Sequence, residues 1–262
     1  MLKLNEERIH LSYNQIATML SCPYKYYLQY RENRKWDYIP SAVSFGSAIH
    51  DSISHFHRAL MNGGVEDISK FTEIFSVGFR REVNDRNVLF RDDAEPDELM
   101  EKGKALINEY VSSFEHLSPG EVEMEFRLPL VDIPSGLLLP KDLVGRIDMV
   151  SHDDVVYEFK TSSSRLPESS ADGNLQLILY GWAFRMLYGR MPEKLVLVNL
   201  VKTKKPGIQV LESVPDIRRE QKLMKLIFRI NEAIDRDSFY PNPRGTYGCG
   251  CCPYSLSCEY TI

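Results

Sequence analysis

The sequence predicts an α/β fold, in which a mixed β-sheet carries helices on both faces and a helical N-terminal lobe precedes it. Three observations lead to this prediction. Apolar residues recur at helical spacing through the first third of the chain. The middle of the chain changes to short β-rich runs. Helical and strand-like segments then alternate, which favours a sheet covered by helices.

The composition is that of a globular protein. Of the 262 residues, 43% are hydrophobic and 26% are charged, which suits one large folded unit. No long uncharged apolar run is present, and the opening residues lack a basic segment followed by an apolar one. We therefore expect a cytoplasmic protein that has no membrane partner and no secretory leader.

Four helices are expected in the first third. The first spans residues 12–30 and starts at Ser12, because Gln15 stands three residues later and completes a capping box. The other three are expected over residues 42–61, 66–83 and 97–117.

The remaining chain is expected to supply the sheet and two more helices. The run LVLVNLV at 195–201 is apolar throughout, as in a buried strand. The other strands are expected over 121–130, 143–150, 154–160 and 207–213, and the helices over 172–188 and 215–235. One integrated domain would then comprise a helical N-terminal region (1–120), a core (121–240) and a cysteine-rich C-terminal segment (241–262).

Three charged residues in two neighbouring strands are the main functional signal. In the runs GRIDMV and YEFKTS, Glu158 and Lys160 share one strand face, and a loop centred on Asp153 places Asp148 opposite Glu158. Cross-strand neighbours lie roughly 5 Å apart at Cβ. Two carboxylates so close favour a hard divalent cation between them, such as Mg²⁺ or Mn²⁺, and Lys160 can orient water and stabilise charge on a phosphate. A surface hairpin with an ordinary Glu–Lys pair is the alternative.

Two helical motifs can join this site. In FGSAIH, Gly46 and His50 share a helix face, so the glycine permits a close approach and the imidazole can reach a metal. A packing glycine and a satisfied histidine are the alternative, and we interpret the nearby His55 and His57 as surface residues. In QLILY, Gln176 and Tyr180 form a polar helix face that can hold a DNA strand or simply face solvent.

The four motifs, in this order, resemble the RecB-like family of the PD-(D/E)xK nucleases. They are GxxxH (Gly46, His50), GxxD (Gly145, Asp148), ExK (Glu158, Lys160) and QxxxY (Gln176, Tyr180). The opening LSYNQIATMLSCPYKYYLQY is similar to the N-terminal signature of the group. The resemblance implies a restriction-endonuclease-like core.

The resemblance also implies roles for the residues. His50, Asp148, Glu158 and the main-chain carbonyl of Phe159 would bind Mg²⁺ or Mn²⁺. Lys160 would act in catalysis together with Asp148 and Glu158. Gln176 and Tyr180 would support DNA binding.

The cysteines form a second constellation. Four of the five lie in the last fourteen residues, and their odd number makes a disulfide framework a poor explanation. The spacing of Cys249, Cys252 and Cys258, with Cys22 far upstream, suits a soft metal or an iron–sulfur cluster. The resemblance to iron–sulfur nucleases of the RecB-like family implies one 4Fe-4S cluster on these four. Four-cysteine zinc is the alternative, and Cys251 can replace a neighbour.

The leading functional hypothesis is a metal-dependent deoxyribonuclease, an exonuclease acting on single-stranded DNA or DNA ends. The net charge of −5 does not indicate nucleic-acid binding, which usually shows as an excess of Lys and Arg, although local basic groups occur. They comprise Arg31, Arg34 and Lys35, and Lys202, Lys204 and Lys205. The resemblance implies CRISPR adaptation with an integrase partner, or DNA repair and recombination. A catalytically silent DNA-binding scaffold and a zinc-stabilised domain without nuclease activity are the alternatives, and the oligomeric state is left open.

Overall fold

The structure is a computed structural model that describes most of the chain. The described residues are 9–64, 67–90, 95–131, 136, 138–203, 205–245 and 248–262. Residues 1–8 of the expected N-terminal region, residue 66 at the expected start of one helix, and Lys204 lie outside them.

The N-terminal segment is a short strand followed by a broken helix. Its elements are β1 (Ile9–Ser12), α1 (Tyr13–Ser21), α2 (Pro23–Tyr26) and a π-helical turn (Tyr27–Arg31). Ser12 caps α1, and the capping box with Gln15 is confirmed. The expectation of one helix over 12–30 is wrong, because Pro23 favours an extended backbone at Cys22 and so ends α1 there.

Three long helices then form the N-terminal layer. They are α3 (Ser41–Met61), α4 (Ile68–Asp85) and α5 (Pro96–Phe114). Two short strands, β2 (Ile39–Pro40) and β3 (Val88–Leu89), pair in parallel beside them. The apolar faces of these helices pack with Phe159, Val196 and Val198 from one face of the main sheet.

The main sheet contains β1 and five later strands. These are β4 (Pro119–Val131), β5 (Leu138–Ser151), β6 (Val155–Ser162), β7 (Lys194–Val201) and β8 (Gly207–Ser213). The order is β1-β5-β6-β7-β8, with β4 on the other edge of β5. The β1–β5 and β6–β7 pairs are parallel and the rest are antiparallel, which confirms the expected mixed sheet.

Two helices cover the opposite face. They are α6 (Leu175–Tyr188) and α7 (Ile217–Asp235), and a 3₁₀ turn (Glu168–Ser170) precedes α6. Successive residues of β7 alternate between the two cores: Leu195 and Leu197 face α6 and α7, whereas Val196 and Val198 face α3 to α5. Helices on both faces of the sheet are thus confirmed. None of the described helices is both long and apolar enough to cross a membrane.

Candidate active site

The sheet divides along one edge of β5, and this fork positions the charged residues. β1 pairs with residues 141–144 of β5, whereas β6 pairs with Met149 and Val150 further along the same edge. Between these two pairings, the Asp148 carboxylate accepts a hydrogen bond from the Phe159 N–H, with Oδ2 2.8 Å from the nitrogen. Asp148 therefore fills the gap where β5 and β6 separate.

The register of the hairpin places Asp148 beside Glu158. Because Met149 pairs with Tyr157, the next residues along each strand are Asp148 and Glu158. The N–H and C=O of one strand residue point towards the same edge, so the carbonyl of Phe159 faces the fork together with its N–H. This orientation is the one that a main-chain ligand at the fork requires.

A helix and the neighbouring strand complete a group of possible metal ligands. From α3, His50 Nδ1 lies 3.6 Å from Asp148 Oδ1. From β4, Glu123 joins them, and ligand atoms of His50, Glu123 and Asp148 all lie within 4.8 Å of one another. An imidazole and two carboxylates suit a divalent cation. A Cβ built on Gly46 would lie 3.5 Å from Thr161 Oγ1, an ordinary contact distance, so the structure does not require a glycine there for space.

Glu123 was not among the residues expected in the site. It lies on β4 between Val122, which pairs with Met149, and Met124, which pairs with Ile147, and so stands opposite Asp148. Its φ of 56° is in the left-handed region, which is rare for a strand residue with a side chain. Strained backbone of this kind persists where the surrounding structure holds it.

Glu158 and Lys160 form the inner part of the site. Glu158 is fully buried and forms an ion pair with the Lys160 ammonium. Burial and the nearby Asp148 raise the pKa of Glu158 to about 8. Burial opposes the charge on Lys160, but Glu158 outweighs it and raises the pKa of Lys160. Glu158 is thus a second buried carboxylate beside Asp148, and few groups compensate its negative charge. Such a carboxylate suits a site that binds a cation.

The pKa values of Asp148 and His50 depend on each other. Burial opposes ionisation of Asp148, but the nearby His50 imidazole and the hydrogen bond from the Phe159 N–H lower the pKa of Asp148. Burial likewise opposes protonation of His50, but Asp148 and Glu158 raise the pKa of His50. A positive charge is therefore favoured where the imidazole meets the carboxylates, and a bound metal ion would place its charge there instead.

Gln176 and Tyr180 are buried beside Lys160, and they do not form the polar helix face that was expected. Gln176 Oε1 accepts a hydrogen bond from Lys160 Nζ at 2.8 Å, and Gln176 Nε2 donates one to the Tyr180 hydroxyl at 2.8 Å. Both side chains are buried, at 9% and 4% exposed. The structure thus shows a chain of hydrogen bonds that orients the lysine, and direct DNA contact by the pair stays a prediction.

The interpretation of His57 as a surface residue is wrong. Its ring is fully buried, packs on Phe159 and lies 2.8 Å from the Tyr110 hydroxyl through Nε2. Burial lowers the pKa of His57 to about 3, so the ring is neutral. His57 follows His50 by seven residues on the same face of α3, and this face packs on the sheet. His55, by contrast, is exposed as expected.

The comparisons with known proteins show the family of the chain. A family model described as the PD-(D/E)XK nuclease superfamily matches residues 10–259. The chain belongs to the PD-(D/E)XK nuclease superfamily. A search of curated proteins finds no significant match.

Solved structures of other proteins share the fold of this superfamily member. The crystal structure named "Putative exonuclease", from Eubacterium rectale, matches with a TM-score of 0.58 at 13% identity, covering 100% of this chain and 97% of that one. At such low identity the likeness shows the fold alone. The crystal structure of SSO0001 matches with a TM-score of 0.46 at 15% identity, covering 99% and 89% of the two chains, which is too low to carry an inference.

This PD-(D/E)XK chain also has a pocket that gathers four cysteines from its two ends. Cys22, Cys249, Cys252 and Cys258 all line it. We call it the thiol pocket. Cys251 is exposed and is not among the lining residues. None of the five cysteines forms a disulfide bond. Burial, followed by the proximity of Cys22 and Cys258, raises the pKa of Cys252. Four converging thiols suit a soft metal or a metal cluster.

The thiol pocket is held by backbone contacts between the chain ends. The Asn242 N–H donates to Cys22 Sγ at 3.3 Å. Gly245 lies so close to the Ser21 carbonyl oxygen that a Cβ there would come within 2.0 Å of it. Only a glycine permits this approach, which brings the C-terminal segment against the end of α1.

Two of the basic residues considered for DNA contact serve the same junction. Arg31 Nη2 donates to the Ile234 carbonyl at 3.0 Å, and Arg34 Nη2 donates to the Ser257 carbonyl at 3.3 Å. These bonds tie the N-terminal segment to α7 and to the C-terminal segment. Their guanidinium groups are therefore already engaged within the protein.

Proposed function

We propose that the protein is a Mg²⁺- or Mn²⁺-dependent deoxyribonuclease of the RecB-like kind, an exonuclease acting on single-stranded DNA or DNA ends. The observation that carries the proposal is the convergence of His50, Asp148, Glu158 and Lys160 at the fork of the sheet, with Glu123 added from β4. We call these five residues the carboxylate site.

The side chains of the carboxylate site have separable tasks. His50, Glu123, Asp148 and Glu158, with the Phe159 carbonyl, would hold the metal ion. When bound, the ion would polarise the phosphodiester and provide a water of lowered pKa. Lys160, held by Gln176, places its ammonium where the attacking water and the developing phosphate charge are expected.

Cleavage of a labelled single-stranded oligonucleotide with and without Mn²⁺ tests this function. We expect Asp148→Ala and Lys160→Ala each to lower the rate by about a thousandfold or more, because each removes charge at the reacting phosphate. Asp153→Ala, an exposed aspartate in the loop of the same hairpin, is the matched control and should cleave like the wild type. Wild-type cleavage by both site variants would refute the proposal. Metal-dependent DNA binding without cleavage would favour the silent scaffold.

We further propose that Cys22, Cys249, Cys252 and Cys258 bind one 4Fe-4S cluster. The pocket that they line, and the exclusion of Cys251 from it, support this assignment. Anaerobic purification followed by an absorption spectrum and metal analysis tests it. Absorbance near 400 nm with about four iron atoms per chain is expected for such a cluster. One zinc atom and a colourless protein would support the zinc alternative instead.

The cellular role that we propose is processing of DNA before spacer integration in CRISPR adaptation, with an integrase as partner, or DNA repair and recombination. The resemblance of the motifs supports both, and it favours the first slightly over the second. Neighbouring genes, together with co-purification of the chain with an integrase, distinguish between them.

A further inference from the structure

A charged side chain at the mouth of the carboxylate site has no task in the proposed reaction. Arg146 lies on β5 two residues before Asp148, so the two side chains share one face of the strand. Its guanidinium is exposed, at 60%, and its Nε lies 2.6 Å from Glu123 Oε2. The partner carboxylate is mostly buried, at 14% exposed, and belongs to the group of possible metal ligands.

The pairing of Arg146 with Glu123 is diagonal across the strands. The residue directly opposite Arg146 on β4 is Glu125, whereas Glu123 stands opposite Asp148. Arg146 thus reaches towards the His50 and Asp148 cluster. In the absence of a metal ion it supplies positive charge to Glu123 and lowers its pKa, against the larger effect of burial, which raises it.

A divalent cation at the carboxylate site would compete with Arg146 for Glu123. The ion carries two positive charges and would bind the same carboxylate, so it would both weaken the attraction on the guanidinium and repel it. Arg146 is exposed and attached by a long flexible stem, so it can leave without disturbing a packed core. A released guanidinium beside a metal site is a bidentate ligand for a phosphate diester.

Lys160 on the other side of the site is held differently. It contacts both Glu158 and Gln176, so two partners hold its ammonium before any ligand binds, although 41% of its side chain is exposed. The carboxylate site therefore contains one cation that two partners hold, and it has a second cation, Arg146, at its mouth. The carboxylate that holds Arg146 is one that a metal ion would bind.

We propose that Arg146 binds a phosphate group of the DNA, and that its ion pair with Glu123 prevents this until a divalent cation occupies the carboxylate site. The proposal rests on the nuclease function above. It makes binding ordered, with the metal ion first and the DNA second, and it gives Glu123 a second task besides metal binding.

Fluorescence anisotropy of a labelled single-stranded oligonucleotide, in EDTA and in Ca²⁺ at equal ionic strength, tests the proposal. Arg146→Ala should bind about tenfold more weakly than the wild type in Ca²⁺ and within about twofold of it in EDTA, because the contact exists only after release. A denaturing gel checks that the oligonucleotide stays intact. The control is Arg190→Ala, an arginine of 58% exposure paired with Asp154 at the far end of the hairpin, which should bind like the wild type.

A double-mutant cycle isolates the release step. Glu123→Gln should strengthen DNA binding in EDTA by several-fold, since it frees Arg146, and the gain should vanish in Glu123→Gln combined with Arg146→Ala. Calorimetry with Mn²⁺ should show the opposite effect of the same substitution on affinity for the ion. Arg146→Ala should bind Mn²⁺ more tightly than the wild type, because a competing cation is gone. A purely structural role for Arg146 would not produce opposite effects on two ligands.

The outcomes separate this proposal from the proposed function. The release of Arg146 from Glu123 by the metal ion is refuted if Arg146→Ala weakens DNA binding equally in EDTA and Ca²⁺, or not at all, or if the Glu123→Gln gain persists without Arg146. Wild-type cleavage would still support the nuclease function in that case. If the cycle holds and the wild type does not cleave, the hydrolytic function alone fails. Absence of DNA binding under every condition would overturn both.

Discussion

The carboxylate site and the thiol pocket both gather residues from distant parts of the chain, but they are held in different ways. The carboxylate site takes its groups from β4, β5, β6 and α3, whose positions are fixed by strand register and core packing. The thiol pocket joins the end of α1 to the C-terminal segment, where one short 3₁₀ turn (Cys249–Cys251) is the regular structure.

The difference indicates what each site needs from its metal. Buried partners already hold Asp148 and Lys160 in the carboxylate site, so its geometry exists before an ion binds. In the thiol pocket the contacts of the thiols are longer, such as Asn242 N–H to Cys22 Sγ at 3.3 Å and Cys249 Sγ to the Tyr260 carbonyl at 3.9 Å. We infer that the first site uses its metal for chemistry and the second uses its metal for stability.

Removing a thiol ligand should give the largest effect on stability. Cys258→Ser should lower the free energy of unfolding by roughly 4 kcal/mol, because the cluster that closes a loop of more than two hundred residues is lost without its fourth ligand. Cys251→Ser, the exposed neighbour, is the control and should unfold like the wild type. Anaerobic denaturant unfolding measures both. Equal stability of the two variants would contradict the proposed division of tasks, as would loss of Mn²⁺ affinity in folded Cys258→Ser.

Lowering the pH should reduce the stability of the core beside the carboxylate site, through the buried His57. The ring has a pKa of about 3 in the folded protein and 6.5 as its ordinary value, so the unfolded chain takes up a proton first as the pH falls. The stability that the neutral ring contributes is complete above pH 6.5 and is lost progressively towards pH 3. Between pH 7 and pH 5 this amounts to about 2 kcal/mol.

Matched histidine variants measure this loss. His57→Gln keeps a hydrogen-bonding group near Tyr110 but does not titrate, so its free energy of unfolding should fall less over the same interval, by about 2 kcal/mol. His55→Gln, on the exposed side of α3, should retain the full decline of the wild type. An identical pH dependence in His57→Gln and the wild type would show that the buried ring is not responsible.

The hairpin that carries Asp148, Glu158 and Lys160 was predictable because strand alternation and a central loop residue determine its register. Glu123 was not, because Glu121, Glu123 and Glu125 alternate in β4 and the sequence does not indicate which one lies opposite Asp148. That choice depends on the pairing of β4 with β5, which includes two register shifts.

The polar helix face expected at Gln176 and the surface position expected for His57 differ from the structure for a common physical reason. Both residues were placed on an exposed face, but α6 is buried on most of its surface between the sheet and α7, and His57 lies on the face of α3 that packs on the sheet. A buried polar group is stable where another polar group can pair with it. Tyr180 with Lys160, and Tyr110, provide those partners from elements far apart in the sequence.

Backbone strain should give the smallest difference in stability between variants of the two regions. Each has a residue at nearly the same positive φ, Glu123 at 56° in the carboxylate site and Gly248 at 57° directly before Cys249 of the thiol pocket. The thiol pocket uses a glycine, which adopts this conformation freely, whereas the carboxylate site needs the side chain and accepts the strain. Glu123→Gly should therefore be about 1 kcal/mol more stable than Glu123→Ala, although both remove the same carboxylate.

The reciprocal substitution completes this comparison. Gly248→Ala should lower the free energy of unfolding by at least about 1 kcal/mol, because a Cβ there has room, at 3.5 Å from the Pro243 oxygen, but its φ of 57° and ψ of 178° lie in a region that essentially only glycine adopts. Denaturant unfolding of the four proteins measures both effects. Equal stability of Glu123→Gly and Glu123→Ala would mean that the left-handed backbone at residue 123 depends on the carboxylate and relaxes without it. The contacts of the Glu123 side chain, and not the pairing of β4, would then cause the strain.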